Sequence, residues 1–431
     1  MKKLPIGVND FKELIEEGYY FVDKTMLIKD VIELPGKIKL ITRPRRFGKT
    51  LNMSMMEHFF SLFREGSLFE GFAIWEEKRI VKDYYHKYPV IFVTFKEVKD
   101  TSWEMALDHL KTVISNFVEE YSEKLKDESI KKWAEKLIER QVPTSEYMDS
   151  LRRLTQAFHK EIGRKAILLI DEYDVPIGAA YTYRHRDPDY YENMVAFMRN
   201  MLTAALKDNE HLEFGILTGV YRVAKESIFL GLNNLAVYTV FENRMVDRFG
   251  FTGEEVKEML KHYGVDTEED IQTVKEWYDG FKVGEYEFLY NPWSVIYYIA
   301  ERLSGRSFQA SAQPFWINTS SNDLIKHQIE TNEDLKEELE ALLQGREIVK
   351  RIDPWLSLRE MEGKEEGVWT LLVSSGYLTV RYIGGIGFGK YSLRMPNEEV
   401  LYFYKDSIMD LDREKSEGQN EEHDGRSCFL A

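Results

Sequence analysis

KIKLITRPRRFGKTLNM, residues 37–53, reads as a strand, a basic loop and the start of a helix. Lys37–Thr42 is short, apolar and β-branched, which predicts a strand. A helical run, Leu51–Leu62, follows almost at once. Gly48-Lys49-Thr50 therefore falls at a helix mouth, where free backbone N–H groups and the positive end of the helix dipole face outward. A phosphate suits that place. Gly48 lets the backbone approach it without a Cβ clash. Lys49 supplies a mobile charge for the β- and γ-phosphates, and the Thr50 hydroxyl can ligate magnesium. Arg46 and Phe47 complete the candidate nucleotide-binding loop. The pattern departs from G-x-x-x-x-G-K-[ST] at its first position, which is Arg43. Pro44 constrains the loop there, and Arg45 and Arg46 add positive charge. A basic surface turn before an ordinary helix would use the same residues, so this stretch alone leaves both readings open.

AILLIDEYD, residues 166–174, moves the balance. Its apolar run predicts a buried strand, and acidic residues at a strand's C-terminal end face the crevice where open α/β sheets bind ligands. In P-loop enzymes an Asp there holds the magnesium shell and a following Glu can activate water. Asp171 is thus a metal candidate beside Thr50, and Glu172 a catalytic candidate. A strand ending in a solvated acidic turn is common, but both motifs together, in this order and on these element types, favour nucleotide binding. They form a Walker A and Walker B pair. About 120 residues separate them, leaving room for an additional strand, which Tyr88–Phe95 (YPVIFVTF) supplies. With a Glu beside the Asp, the arrangement points to the additional-strand class of P-loop ATPases rather than to kinases or GTPases. In LEFGILTGVYRVAKES, Thr218 ends the next strand near the position of an attacking water. Arg222, four residues on, is placed to stabilise transition-state charge from its own or a neighbouring subunit.

Strands alternating with helices predict an α/β domain with a mainly parallel sheet and helices on both faces. Tyr19–Val22, Leu212–Leu217 and Tyr238–Phe241 are further strand candidates; 102–162 and Tyr190–Leu206 read as helical. Helices dominate after Phe249, one of them opened by Asn291-Pro292. Val368–Ser374, Tyr377–Ile383 and Lys390–Arg394 predict a helix followed by a hairpin, a winged-helix-like end. The expected division is an ATPase core over 1–248, a helical lid with that end over 249–411, and a disordered tail over 412–431. The 431 residues carry 43% hydrophobic and 13% aromatic content, ample for a buried core. A formal charge of -16 argues against a protein that coats nucleic acid. The single cysteine, Cys428, permits no disulfide framework or thiolate zinc site within one chain. With no signal-peptide pattern and no long apolar run, a cytoplasmic protein without membrane association is expected.

YYFVDKT, RPRRFGKTLNMSMM, LLIDEYDVPI, LTGVYRVAKESIFLGLNNL, FGFTGEEV, WINTSSND and LLVSSGYLTV together resemble the predicted AAA-ATPase-like family over residues 4–405. That family commonly carries RPRRFGK[ST], so the resemblance makes Arg43 a family trait. It implies Lys49 and Thr50 as the phosphate-loop pair, Asp171 and Glu172 as the acids, and Arg222 as the basic residue after the fourth strand. It places Asp23 and Lys24 near the nucleotide base and includes Asp174 without a clear role. Family members are often fused to a C-terminal PD-(D/E)XK-type nuclease domain. This chain ends soon after LRMPNEEVLYFY, where that domain would begin, so nuclease activity is not expected of it.

Other features read as ordinary structure. Gly384–Lys390 looks like a hairpin turn; Met53, Met55 and Met56 look like a packing face; His185, Asp187 and His58 do not look like metal ligands. The expected function is magnesium-dependent ATP hydrolysis coupled to conformational change in an assembly, with a homo-oligomer or protein partner. The alternative is a nucleotide-gated interaction module with little turnover. Nucleic acid is a third, weaker candidate partner, through Arg381, Lys390 and Arg394.

Overall fold

The structure, a computed structural model, describes residues 1–222, 229, 234–316, 325, 333–354, 365–385 and 389–406. Five strands form one all-parallel sheet: β1 (Ile38–Thr42), β2 (Val90–Thr94), β3 (Ala166–Asp171), β4 (Leu212–Gly219) and β5 (Leu235–Tyr238). Their spatial order is β2-β3-β4-β1-β5. With helices around it, this is an α/β fold of P-loop NTPase type. Every residue of β1 and β3 is buried, which explains their unbroken apolar or mixed runs. Val90–Thr94 stands at the sheet edge beside β3, so the strand inserted in space between β1 and β3 is β4.

Register decides where the loops emerge. Thr42 pairs with Gly219 and Ile170 with Leu217, so β1, β3 and β4 end at nearly one level. The segments after them converge at the C-terminal edge of the sheet, where this topology makes its crevice.

The first three helices are α1 (Phe11–Glu16), α2 (Leu27–Glu33) and α3 (Lys49–Phe60); α3 starts at that edge and packs against α1. Helix α3 is buried nearly all round, Met53, Met55, Met56 and Phe59 included, which fixes the loop before it. Helices cover 103–162 in four pieces, and Tyr190–Leu206 is helical throughout, as its pattern predicts.

Several boundaries differ from the sequence expectation. Tyr19–Val22 forms no strand; Tyr19 makes a single bridge to Lys3. Strand β5 stops at Tyr238 instead of running to Phe241, because the Thr239 amide donates to the Glu242 carboxylate and turns the chain. The region after Phe249 is not helical alone. β6 (Phe251–Thr252), β7 (Phe281–Val283) and β8 (Tyr286–Tyr290) make an antiparallel sheet in the order β6-β8-β7. The expected hairpin, β10 (Thr379–Gly384) and β11 (Lys390–Arg394), gains a third strand, β9 (Ile348–Arg351). These added strands are short, which hides their alternation in the sequence.

One hydrophobic core runs from the parallel sheet through Trp316, Trp369 and Tyr404; a second, smaller one holds Met259, Leu260, Tyr298 and Ile299. Helix Pro292–Leu303 in the second is capped by Asn291, whose side chain accepts from the Trp293 and Ser294 amides, as Asn-Pro predicts. Asp187 accepts from the Trp103 amide, and His58 is buried against Asp10. No helix among the described residues is long and apolar enough to cross a membrane. The expected tail, Cys428, most of WINTSSND, 223–228 of the VAKES stretch and the tip of the Gly384–Lys390 turn lie outside the described residues.

Candidate functional site

Gly48 caps α3 at φ 80°, ψ 17°, a left-handed conformation that turns the chain sharply into the helix. Arg46, at φ 64°, takes the same region without being glycine. Arg43 explains how the loop holds together without its usual first glycine. Its side chain is fully buried, and Nη1 donates to the carbonyls of Thr42 (2.8 Å) and Tyr238 (3.0 Å). Nη2 donates to those of Arg244 (3.1 Å) and Met245 (3.2 Å), and the guanidinium lies 5.3 Å over Phe249. Arg43 thus bolts the loop's origin to the chain that follows β5. Burial lowers its pKa to about 10, with Glu242 opposing the fall, so it stays charged.

Thr50 Oγ1 donates to Asp171 Oδ2 at 2.7 Å, and Thr218 Oγ1 donates to Asp171 Oδ1. The two motifs and the end of β4 therefore meet at one carboxylate. Burial, with the charge of Glu172 added, raises the Asp171 pKa against the two hydroxyls and Lys49. Lys49 is buried, which lowers its pKa, while Glu172, Asp171 and Asp174 oppose the fall. Its Nζ donates to the carbonyls of Arg43 (3.1 Å) and Pro44 (2.9 Å). Glu172 sits at φ 52°, a strained position for a side-chain-bearing residue and one that clusters at functional sites.

Asp174 Oδ2 accepts from the Val220 and Tyr221 amides, both at 2.8 Å. A Cβ on Gly219 would lie 2.5 Å from Asp174 Oδ1, so glycine is what admits this close approach. Burial pushes the Asp174 carboxyl up to about 6, although those two amides pull it down.

Lys49, Thr50, Glu172 and Asp174 border a cavity of about 420 Å³, within the ~300–1,000 Å³ usual for small-molecule sites. Its polar lining includes Arg45, Lys49, Thr50, Lys99, Glu172 and Asp174. Its apolar lining includes Val8, Val22, Trp293 and Ile296. Arg46 also borders it, its guanidinium 4.1 Å from the Trp293 ring. Phe47 also borders the cavity and packs edge-on against Phe281 at 5.1 Å.

Three expected residues stand off the cavity wall, Asp171 among them, buried and bonded to the wall residue Thr50. Thr218 is buried and reaches the site only through Asp171. Arg222 does not line the cavity; Tyr173, Glu242 and Asp353 surround it, and burial lowers its pKa to about 10 against those charges. Asp23 accepts from Thr25 and from the Ala73 amide and so holds a turn. Lys24 lines the cavity and pairs with Glu255 at 2.6 Å.

The sequence model of the family described as Predicted AAA-ATPase matches residues 5–229, just over half of the chain. The chain belongs to the predicted AAA-ATPase family. The matched span of this family member includes the loop, α3, Asp171, Glu172, Asp174 and Thr218, and it ends beyond Arg222. A curated relative, "Uncharacterized protein in vnfD 5'region" from Azotobacter chroococcum mcd 1, is 27% identical over 418 residues. That similarity covers 95% of this chain and 70% of the relative. It therefore extends past the family match into the region that supplies Trp293 and Ile296.

Sequence reasoning missed Lys99, Trp293 and Val8, which come from distant parts of the chain and match no motif. Lys99 carried one signal: it follows the apolar run of β2, at the same sheet edge as Asp171.

Proposed function

We propose that this chain binds ATP with magnesium and hydrolyses it. The observation that carries the reading is that Lys49, Thr50 and Glu172 line a nucleotide-sized cavity while Asp171 stands behind its wall, bonded to Thr50. The apolar lining suits a base, and the mouth of α3 suits phosphates. A Thr hydroxyl and a carboxylate are hard oxygen donors, the kind magnesium prefers. Thr50 and Asp171 are the residues that would hold that ion, Asp171 acting through its own oxygens or an ordered water. Magnesium bound there would neutralise charge on the phosphate oxygens.

Lys49 then binds the β- and γ-phosphates, Glu172 takes the proton of the attacking water, and Thr218 orients the Asp171 carboxylate. Arg222, away from the wall, is assigned to packing between Tyr173 and Glu242. We assign residues 1–248 as the ATPase core and 249–411 as lid and winged-helix-like end. Arg46 on Trp293 gives nucleotide binding a direct route to the lid helix. A reducing cytoplasm and a protein or self-association partner belong to the same proposal.

Magnesium-dependent phosphate release by the purified chain tests the reading. Release that persists in Glu172→Gln would remove Glu172 from its role. ATP binding without release, under every condition tried, would leave the nucleotide-gated module.

A further inference from the structure

Arg45 is the loop cation to which the proposed chemistry gives no task. It borders the main cavity and also a smaller one of about 80 Å³ beside it. Both cavities share Arg45, Lys99 and Asp174, while Tyr221 borders only the smaller one. Arg45 therefore stands in the partition between them. Burial alone would lower its pKa, yet the phenols of Tyr221 and Tyr377 and the carboxylates of Asp174 and Glu172 hold it above the ordinary value. Asp174 Oδ1, buried on the same partition, makes no hydrogen bond among the described residues.

The far side of the loop touches the C-terminal part of the chain. Tyr377 is buried in the turn after helix Glu365–Ser374. That turn is pressed on the loop: a Cβ on Gly376, at φ +87°, would lie 3.0 Å from Pro44 Cβ. The Tyr377 ring continues inward to Phe403 at 5.0 Å and Trp316 at 5.2 Å. Arg45 thus feels the acids Asp174 and Glu172 of the cavity lining and also the buried Tyr377 of the C-terminal part.

Resting on the ATPase reading, we propose that Arg45 reads the terminal phosphate in cis and reports it to the C-terminal helix and sheet. A guanidinium matches phosphate oxygens with paired donors, where an ammonium is a point charge. A triphosphate offers acceptors beyond the reach of Lys49 alone, and Arg45 turns to them from Tyr221 and Tyr377. A diphosphate lacks that group, so Arg45 keeps its acids and phenols. The turn at Ser375–Tyr377 then sees two arrangements of the loop, one for each nucleotide. Coupling of this kind is reciprocal: what loosens the Tyr377 contact alters the preference between nucleotides.

The test is calorimetric binding of ATPγS and ADP, each with magnesium, to the full chain and to Arg45→Ala, Arg45→Lys and Lys49→Ala. Hydrogen exchange over residues 365–378 is read in parallel. Arg45→Ala is expected to lose roughly 10- to 150-fold in ATPγS affinity, the usual cost of a hydrogen bond to a charged group, with ADP affinity changed less than about twofold. Exchange near Tyr377 should differ between the two nucleotides in the parent chain and not in Arg45→Ala. Lys49→Ala should weaken both nucleotides. If Arg45→Ala misfolds, Arg45→Lys carries the test, with a smaller loss confined to ATPγS. Equal losses for both nucleotides, or an unchanged preference, overturn the proposal while leaving the ATPase reading intact. A parent chain that binds neither nucleotide overturns both.

Discussion

Thr50 and Asp171 are 121 residues apart in the chain and 2.7 Å apart in space. The contact exists because β1 and β3 flank β4 and end at nearly one level, so the helix after β1 starts beside the tip of β3. Buried, and with Thr218 on its other oxygen, the Asp171 carboxylate is held in a single orientation. Such preorganisation is what a metal-and-phosphate site needs, since groups already aligned lose little on binding.

Lys49 is the first residue to test. Mg-ATP at about 100 times its dissociation constant should add about 2.7 kcal/mol of stability through mass action. Lys49→Ala should abolish the resulting rise in Tm, measured against the variant's own ligand-free Tm. Thermal scans with and without Mg-ATP check this, and an undiminished rise in the variant would remove Lys49 from the phosphate site.

Glu172 carries two separable predictions. Glu172→Gln should abolish phosphate release and spare ATP binding, because it removes the base and keeps the shape. Glu172→Gly should also abolish release but raise stability by about 1 kcal/mol, since glycine relieves a φ of 52°. Urea unfolding of the three chains side by side reads the second effect. A Gly variant no more stable than Glu172→Gln would show that the backbone there stores no strain.

Arg43→Gly restores the usual first glycine of a phosphate loop, and it should do harm. The Arg43 guanidinium satisfies four backbone carbonyls. Losing it should cost about 3 kcal/mol or more, because buried acceptors are left unpaired. A Tm that holds or rises in this variant would mean that water replaces the guanidinium at no cost.

How much of this was legible in the sequence depends on distance along the chain. The loop, α3, β3 and β4 could be read because each signal is local: Gly48 at a helix mouth, an apolar run ending in Asp171, an apolar run ending in Thr218. Sheet order could not, because β2 and β4 have similar apolar composition and nothing local says which one enters between β1 and β3. The sequence pointed to Arg222 and read Arg45 only as loop charge, and packing reversed them by putting Arg45 on the cavity lining and Arg222 off it. The apolar lining of the cavity was invisible for the same reason, since Val8 and Trp293 come to border one cavity only after the chain folds. Short strands such as Phe281–Val283 hold too few residues to show a period.

Glu399 makes stability fall as pH rises. It is fully buried, and the Trp316 amide (2.7 Å) and the Ser294 hydroxyl (2.9 and 3.0 Å) donate to it, tying the helix that bears Trp293 to the C-terminal region. Burial raises its pKa from 4.5 to about 8, more than those two donors lower it. The folded chain therefore holds a proton that the unfolded chain releases. Its contribution is complete below 4.5 and is lost as pH climbs to about 8, at about 1.4 kcal/mol per pH unit. Asp174 and Asp279, both raised to about 6, act with the same sign but finish lower. Asp171, also raised by burial, adds to the fall, while Lys39, lowered by burial to about 8, acts with the opposite sign as pH climbs past that value. Glu399→Gln should remove its share alone, so urea midpoints from about pH 5 to about pH 8 should fall more steeply in the parent than in the variant. Parallel slopes in the two chains would place the titrating proton elsewhere.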